Sequence, residues 1–532
     1  MVIIVVCSAA YVPAIKGGFV WDDDDYVTDN PLLTAPDGFY NIWFSTDAPS
    51  QYFPLTYTTY WVEYRLWGFN PFGYHVVNVA IHIANALLLW LVLRRLSIPG
   101  AWFASAVFAL HPVQVESVAW ITERKNVLML FFSLLSVLCW MKFIFGSNSI
   151  RRAVLFYAVS LLLFALALFS KTTACMLPVV LVLILWLRGL PLTSKRWLRL
   201  VPFIAMGIGM GFFIMWWEKY HQGTSAVNLG IGPADKLLIS GRALWFYLWE
   251  LFWPVNLAFS YPRWNIDPAK IQQFTWPAAV LFAVAIAWLL RNRSGRGPIT
   301  AILFFAATLF PMLGFFTLYT FVYTFVADHY QYAACIGPIA LVAAAGAMLF
   351  GRSGKYTRFV IVLAAGVSVL TLGTLTWRQS RAYTSVDTLW LDTLKKNPDS
   401  WLAHGQIGSS LFKQGKLDET LIHLDRVLEL GAYLKKVDPR AYSVAYYNKG
   451  LIFAAKGRLN DAVEQYRKSL ELQEDSALVH CLFAEVLATQ GKLEEAQLHY
   501  RRAIEIIRNN KAEIIPEDIR QRLQSLGVER QH

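Results

Sequence analysis

Apolar residues along this chain run in unbroken blocks of ten to twenty-one positions, separated by short polar stretches, as far as Trp377. Beyond that point charged residues recur at helical spacing. Blocks of that length read as transmembrane helices. About eleven are predicted, at 1–15, 74–93, 101–110, 127–145, 153–169, 173–187, 200–217, 275–290, 299–318, 330–350 and 358–377. The first block falls short of the roughly 20 residues a span needs, but it has neither the basic flank nor the small-residue cleavage site of a secretory signal. It is taken as a first span, and where the natural chain begins stays open. Residues 236–257 are also apolar. A span there would carry the basic loop after residue 290 to the opposite side, so they are read as a re-entrant or interfacial helix.

Lys and Arg collect in five of the intervening loops, at Arg94–Arg95, Arg151–Arg152, Arg188 to Arg199, Arg291 to Arg296 and Arg352 to Arg358, and none of these loops holds an acid. The positive-inside rule makes them cytoplasmic. Every acid before Trp377 then falls on the other face, among them Asp22 to Asp25, Asp29, Asp37, Asp47, Glu63, Glu116, Glu123, Glu218, Asp235, Glu250, Asp267 and Asp328. The loop at 16–73 is rich in Trp, Tyr, Phe and Pro, which suits a bilayer interface.

Composition agrees with a membrane protein: 56% of the residues are hydrophobic and only 16% charged, below the roughly 25% of soluble domains. A net charge of +12 would admit nucleic acid as a partner, but the basic residues lie between apolar blocks with no basic face, which excludes it. The five cysteines have no metal-ligand spacing and read as small core residues.

Past Trp377 an internal repeat appears. Gly415-Lys416-Leu417, Gly457-Arg458-Leu459 and Gly491-Lys492-Leu493 are spaced 457−415 = 42 and 491−457 = 34 residues apart, the second being the tetratricopeptide period. The longer interval implies an insertion of eight residues, 42−34, near 431–439. The chain thus divides into a membrane domain, 1–377, and a tetratricopeptide-repeat α-solenoid, 378–532. An odd number of spans places the repeats on the acidic face.

Four groups of residues could carry chemistry. Asp22 to Asp25 are consecutive acids, which repel one another and should raise one another's proton affinity. His111, Glu116, Glu123, Arg124 and Lys125 offer a base and a phosphate clamp, or merely charges facing headgroups. Lys171 stands alone between apolar runs, to snorkel or to meet a phosphate. Arg263 and His329 lie in aromatic surroundings at predicted membrane edges. On the second block His75, Asn78, His82 and Asn85 share one helix face, where interhelical hydrogen bonding is favoured over metal binding.

In order, Phe19-Val20-Trp21-Asp22-Asp23, Tyr52-Phe53-Pro54-Leu55, His111-Pro112-Val113-Gln114-Val115-Glu116 with Arg124-Lys125-Asn126, Ser170-Lys171 and the repeats resemble the bacterial relatives of the transmembrane and tetratricopeptide-repeat O-mannosyltransferases. The resemblance implies an all-α GT-C membrane glycosyltransferase in a bacterial inner membrane, with its site on the periplasmic side. It implies inverting transfer of a sugar, mannose by analogy, from a polyprenyl-phosphate carrier to an acceptor hydroxyl, taken as Ser or Thr of a protein presented by the repeats. Asp22 and Asp23 are the candidate catalytic pair, His111 and Glu116 support them, and Arg124, Lys125, Lys171, Arg263 and His329 are candidates for the carrier phosphate. Two departures stand out: Thr172 follows the Ser-Lys pair where relatives often carry an acid, and His329 opens a stretch where many carry Arg. The acids and histidines are metal ligands by type, but no spacing demands a metal. The rivals are transfer to a glycan or lipid, and a non-catalytic membrane-anchored scaffold.

Overall fold

The computed structural model describes residues 1–45, 51–146, 149–221, 229–316 and 319–509; Asp47 and the last two residues of the expected 299–318 span lie outside them. Among the described residues the regular structure is helical throughout. The chain forms two compact units, the first reaching Asp392 and the second starting at Thr393.

Each of the eleven apolar blocks holds a helix. Six helices are long and apolar enough to cross a membrane, including Pro71–Arg95, Ile121–Phe145 and Lys355–Thr384, while Ala101–Leu110, Thr172–Leu187, Gly297–Met312 and Ile336–Arg352 are shorter. Prolines set several boundaries. Pro54, Pro71 and Pro233 each stand first in their helix, where a missing N–H leaves nothing unpaired. Pro338 sits in the first turn of Ile336–Arg352. That span therefore starts later than the apolar pattern suggests, and Asp328–Gln331 is freed as a short 3-10 turn.

The spans differ in what surrounds them. Ile121–Phe145 has 61% of its apolar window buried and forms the centre, whereas Lys355–Thr384 has 6% buried and turns Phe359, Leu363 and Leu370 outward, as a helix solvated by hydrocarbon does. The polar face of Pro71–Arg95 makes the interhelical bonds expected of it. Asn78 Nδ2 donates to the Val118 carbonyl at 3.2 Å, Asn85 Nδ2 to that of Val127 at 2.8 Å, and the His82 ring lies 2.8 Å from the Tyr332 hydroxyl. From the first loop Tyr26, Leu33, Ile42, Tyr57 and Tyr60 pack with Tyr74 and Ile121 into a small separate core.

The helix Pro233–Phe252 keeps to one edge of the membrane unit. Lys236 donates to the Phe315 carbonyl, Trp245 Nε1 to that of Trp276, and His111 Nε2 meets that of Leu251 at 3.0 Å. All three partners stand at span ends remote from the Arg clusters, which suits an interfacial helix and not a crossing one.

In the second unit three helix pairs follow one another, Trp401–Lys413 with Leu417–Leu430, Pro439–Ala455 with Leu459–Leu472, and Ala477–Thr489 with Leu493–Asn509. Gly415, Gly457 and Gly491 terminate the first helix of each pair at φ of 76°, 72° and 80°, a left-handed conformation that glycine adopts without strain. Gly450 faces Tyr466 so closely that an added Cβ would lie 2.6 Å from the ring. The insertion includes the short helix Leu434–Val437, between the first and second pairs.

Candidate active site

Trp21 adopts φ +52°, a left-handed backbone that costs a residue with a side chain about 1–3 kcal/mol. Its indole packs on Phe259 and Trp390, with ring centroids at 6.3 and 4.8 Å, and this packing offsets the strain. The kink sends the next two side chains apart. Asp23 is fully buried; Oδ2 accepts from the Val20 N–H at 2.8 Å, and Oδ1 from the Thr122 N–H and Oγ1, both at 2.7 Å. Burial pushes its carboxyl up to about 7 against the pull of those three donors. Asp22 is partly buried; its backbone carbonyl accepts from the Tyr26 N–H at 3.1 Å, but among the described residues no group donates a hydrogen bond to its carboxylate. Its carboxyl is raised to about 6, first by loss of water; Lys125 pulls it down, and Asp25 and Glu123 push it up. Crowding among the four acids is thus a lesser cause than burial. Asp24 and Asp25 are exposed and enter one π-helical turn, Asp24–Thr28.

The loop that follows Ala101–Leu110 supplies the positive charge. Glu123 is its centre: Oε1 lies 3.0 Å from Lys125 Nζ, Oε2 lies 3.1 Å from Lys171 Nζ, and Oε2 also accepts from Asn126 Nδ2 at 2.6 Å. Lys171 stands in the break between the helices Ile150–Ser170 and Thr172–Leu187, with burial lowering its ammonium to about 8 despite Glu123. The Lys125 ammonium also lies 5.0 Å from the centre of the Tyr26 ring, at cation–π range. His329 reaches the same cluster, with Nε2 3.8 Å from Glu123 Oε1. Its backbone N–H donates to Glu116 Oε2 at 2.9 Å, while Nδ1 lies 3.1 Å from Glu116 Oε1 without hydrogen-bond alignment.

The structure therefore gathers Asp22, Lys125, Lys171, His329 and Glu116 around Glu123. It places three other candidates elsewhere. Arg124, expected at the carrier phosphate, is fully buried. It pairs with Glu63 Oε1 at 2.5 Å and donates to the Tyr74 carbonyl, the Asn78 side chain and Thr59. Four of its five N–H groups are taken inside the protein, so it is a strut between helices and no phosphate ligand. His111, expected to support catalysis, is buried against the Leu251 carbonyl and also accepts from the Val113 N–H at 3.4 Å. Burial lowers it to about 4, so it is a neutral tie to the interfacial helix. Arg263 is exposed, donates to the Phe321 carbonyl at 3.2 Å and lies over the Phe325 ring. Asn126 and Thr122 escaped the sequence reading as site residues, and Glu123 was grouped with the candidates without being given a role of its own. Glu123 was visible as an acid flanked by cations, but nothing local distinguished it from Glu116.

Among the described residues no group of three or more His, Cys, Asp or Glu side chains is placed to hold a metal ion. The Glu123 carboxylate is already taken by two ammonium groups and an amide, which is not a vacant metal ligand.

From this cluster a cleft of about 570 Å³ leads into the apolar body of the unit. Lys171, Asn126 and Tyr330 line one end, and Ser97, Arg188 and Ser294 line the other, among the basic loops; the wall between is mostly apolar, with Ser133, Thr300 and Thr308 interspersed.

Comparison with known proteins adds three findings. A tetratricopeptide-repeat model matches residues 400–475 and 442–509. A protein O-mannosyl-transferase of Caenorhabditis elegans is 31% identical over 156 residues, which are 27% of this chain and 23% of that protein. The protein O-mannosyl-transferase TMTC4 of Homo sapiens is 30% identical over 194 residues, 31% of this chain and 26% of that protein. The chain thus matches about a quarter of the length of these relatives. Among solved structures, ArnT from Cupriavidus metallidurans bound to undecaprenyl phosphate aligns with 88% of this chain and 79% of its own, at 14% identity and a TM-score of 0.36. The resemblance to the transmembrane and tetratricopeptide-repeat O-mannosyltransferases stands, as does that of an all-helical, multi-pass membrane protein with carboxy-terminal repeats.

Proposed function

We propose that the chain is a GT-C glycosyltransferase that moves a sugar, mannose by likeness to the relatives named above, from a polyprenyl-phosphate carrier to an acceptor hydroxyl. The observation that carries this reading is the apolar cleft that ends on Lys171, within the same cluster as the unbonded carboxylate of Asp22. A mostly apolar groove suits an isoprenoid tail, and an ammonium at its head suits the phosphate. In the reaction Asp22 takes the proton of the acceptor hydroxyl as its oxygen bonds to the anomeric carbon. The bond from that carbon to the phosphate oxygen breaks on the opposite face, inverting the configuration and releasing polyprenyl phosphate. Lys171 and Lys125 stabilise the charge that grows on the leaving phosphate, in surroundings that exclude most water. Asp23 holds the loop and takes no proton.

A protein acceptor presented by the repeats, and a site on the extracytoplasmic side of a bacterial inner membrane, belong to the same proposal, supported by the repeat model and by the segregation of Arg clusters from acids. The test uses the full chain in lipid nanodiscs with decaprenyl-phosphate mannose carrying a labelled sugar and a Ser/Thr-rich peptide. Label is expected on the peptide with the wild type and lost with Asp22→Asn. Transfer that survives Asp22→Asn would overturn the assignment of the base. Release of label only to lipid or glycan would point to the rival acceptors, and no consumption of donor would leave the scaffold reading.

A further inference from the structure

We infer that Thr122 is a positioning residue for the base, joining the loop that carries Asp22 to the loop that gathers the phosphate-binding lysines. The inference rests on the glycosyltransferase reading above. Thr122 is fully buried, and its N–H and hydroxyl both donate to Asp23 Oδ1 at 2.7 Å. The other oxygen of that carboxylate holds the Val20 N–H at 2.8 Å. Asp22 lies between two fixed points, the left-handed Trp21 before it and the clamped Asp23 after it. With two soft torsions per residue, little freedom is left to it.

On the other side, the residue after Thr122 is Glu123, which holds Lys125 and Lys171. One node of hydrogen bonds thus sets the separation between the group that takes the proton and the groups that hold the leaving phosphate. The backbone around the node is independently anchored, since Tyr60 Oη donates to the Ile121 carbonyl at 2.7 Å and Asn78 to that of Trp120 at 3.4 Å. Removing the hydroxyl alone therefore leaves the loop in place and loosens only its grip on Asp23. Were Thr122 merely a filler, valine of the same shape would serve as well.

The experiment compares Thr122→Val and Thr122→Ser with the wild type, as full chains in nanodiscs. Carbodiimide labelling of Asp22 is followed against pH by peptide mass, and turnover of decaprenyl-phosphate mannose is followed in parallel. Labelling requires the protonated acid, so in the wild type it should fall as pH rises through about 6. Thr122→Val is expected to move that midpoint by about half a pH unit or more and to lower kcat roughly 10- to 100-fold with donor KM nearly unchanged. Thr122→Ser is expected to restore both. An unchanged midpoint and unchanged kcat in Thr122→Val would overturn the inference. So would a parallel change in kcat and KM, accompanied by lower thermal stability, that serine does not rescue. If the wild type consumes no donor, the functional reading fails, while the labelling midpoints still decide the role of Thr122.

Discussion

Arg124 and Lys125 are neighbours in sequence, both cationic and both buried, yet they end in opposite surroundings. Arg124 is enclosed by Glu63, Tyr74, Asn78 and Thr59, all parts of the protein's own framework. Lys125 shares Glu123 with Lys171, whose ammonium lines a cleft. Asp23 and Asp22 repeat the contrast, one carboxylate saturated by three donors and the other with none among the described residues. Within each pair the proposed function assigns the saturated group to the scaffold and its neighbour to the chemistry, and saturation, more than charge or burial, is what tells them apart.

Substitutions in each pair should separate accordingly. Asp22→Asn should fold normally and lose roughly 10²- to 10⁴-fold in transfer rate, read as labelled sugar on acceptor. Asp23→Asn should instead lower stability by about 1–3 kcal/mol in denaturant titration, because an amide nitrogen would oppose one of the three donors. Equal rate losses at equal stability in the two variants would erase the distinction. Arg124→Met, which strands Glu63 in a dry site, should cost about 3–5 kcal/mol and reduce the yield of folded protein. Lys125→Met, which leaves Glu123 its bonds to Lys171 and Asn126, should cost less stability than Arg124→Met and lower kcat/KM for the donor roughly tenfold, about 1.4 kcal/mol of lost transition-state stabilisation.

Two weaker effects sharpen the picture. A base must be ionised to accept a proton, so kcat/KM should rise with pH through about 6, the raised position of Asp22, and fall away below it. Asp25→Asn removes one of the charges that raise Asp22, and should move that limb slightly toward lower pH. A limb that moved upward would mean that Asp25 acts on Asp22 through something other than its charge.

The sequence told more about the spans and repeats than about the site, for physical reasons. Apolar runs must be helical in hydrocarbon, and Gly415, Gly457 and Gly491 mark turns that only a left-handed residue closes, so local composition sufficed for both. The expectation that 236–257 does not cross rested on charge placement alone, and the ties of Pro233–Phe252 to Phe315, Trp276 and His111 are compatible with it. The roles of Arg124 and His111 did not follow, because whether a cation or imidazole is saturated depends on carbonyls far away in sequence, such as those of Tyr74 and Leu251. The four acids were legible as a group, but the left-handed Trp21 that parts Asp22 from Asp23 is a tertiary effect, held by Phe259 and Trp390. Glu123 as a hub needed Lys171, 48 residues away, to be seen.

The insertion in the repeat unit has a consequence for how that array tolerates change. Its additional residues lie in and around Leu434–Val437, at a seam between one helix pair and the next, and the glycine inside each pair keeps its place. The array is therefore measured in helix pairs and not in residues. Lengthening a seam alters spacing while each pair keeps its own closure, whereas the same residues added inside a pair would part Gly450 from Tyr466 and unmake the module itself.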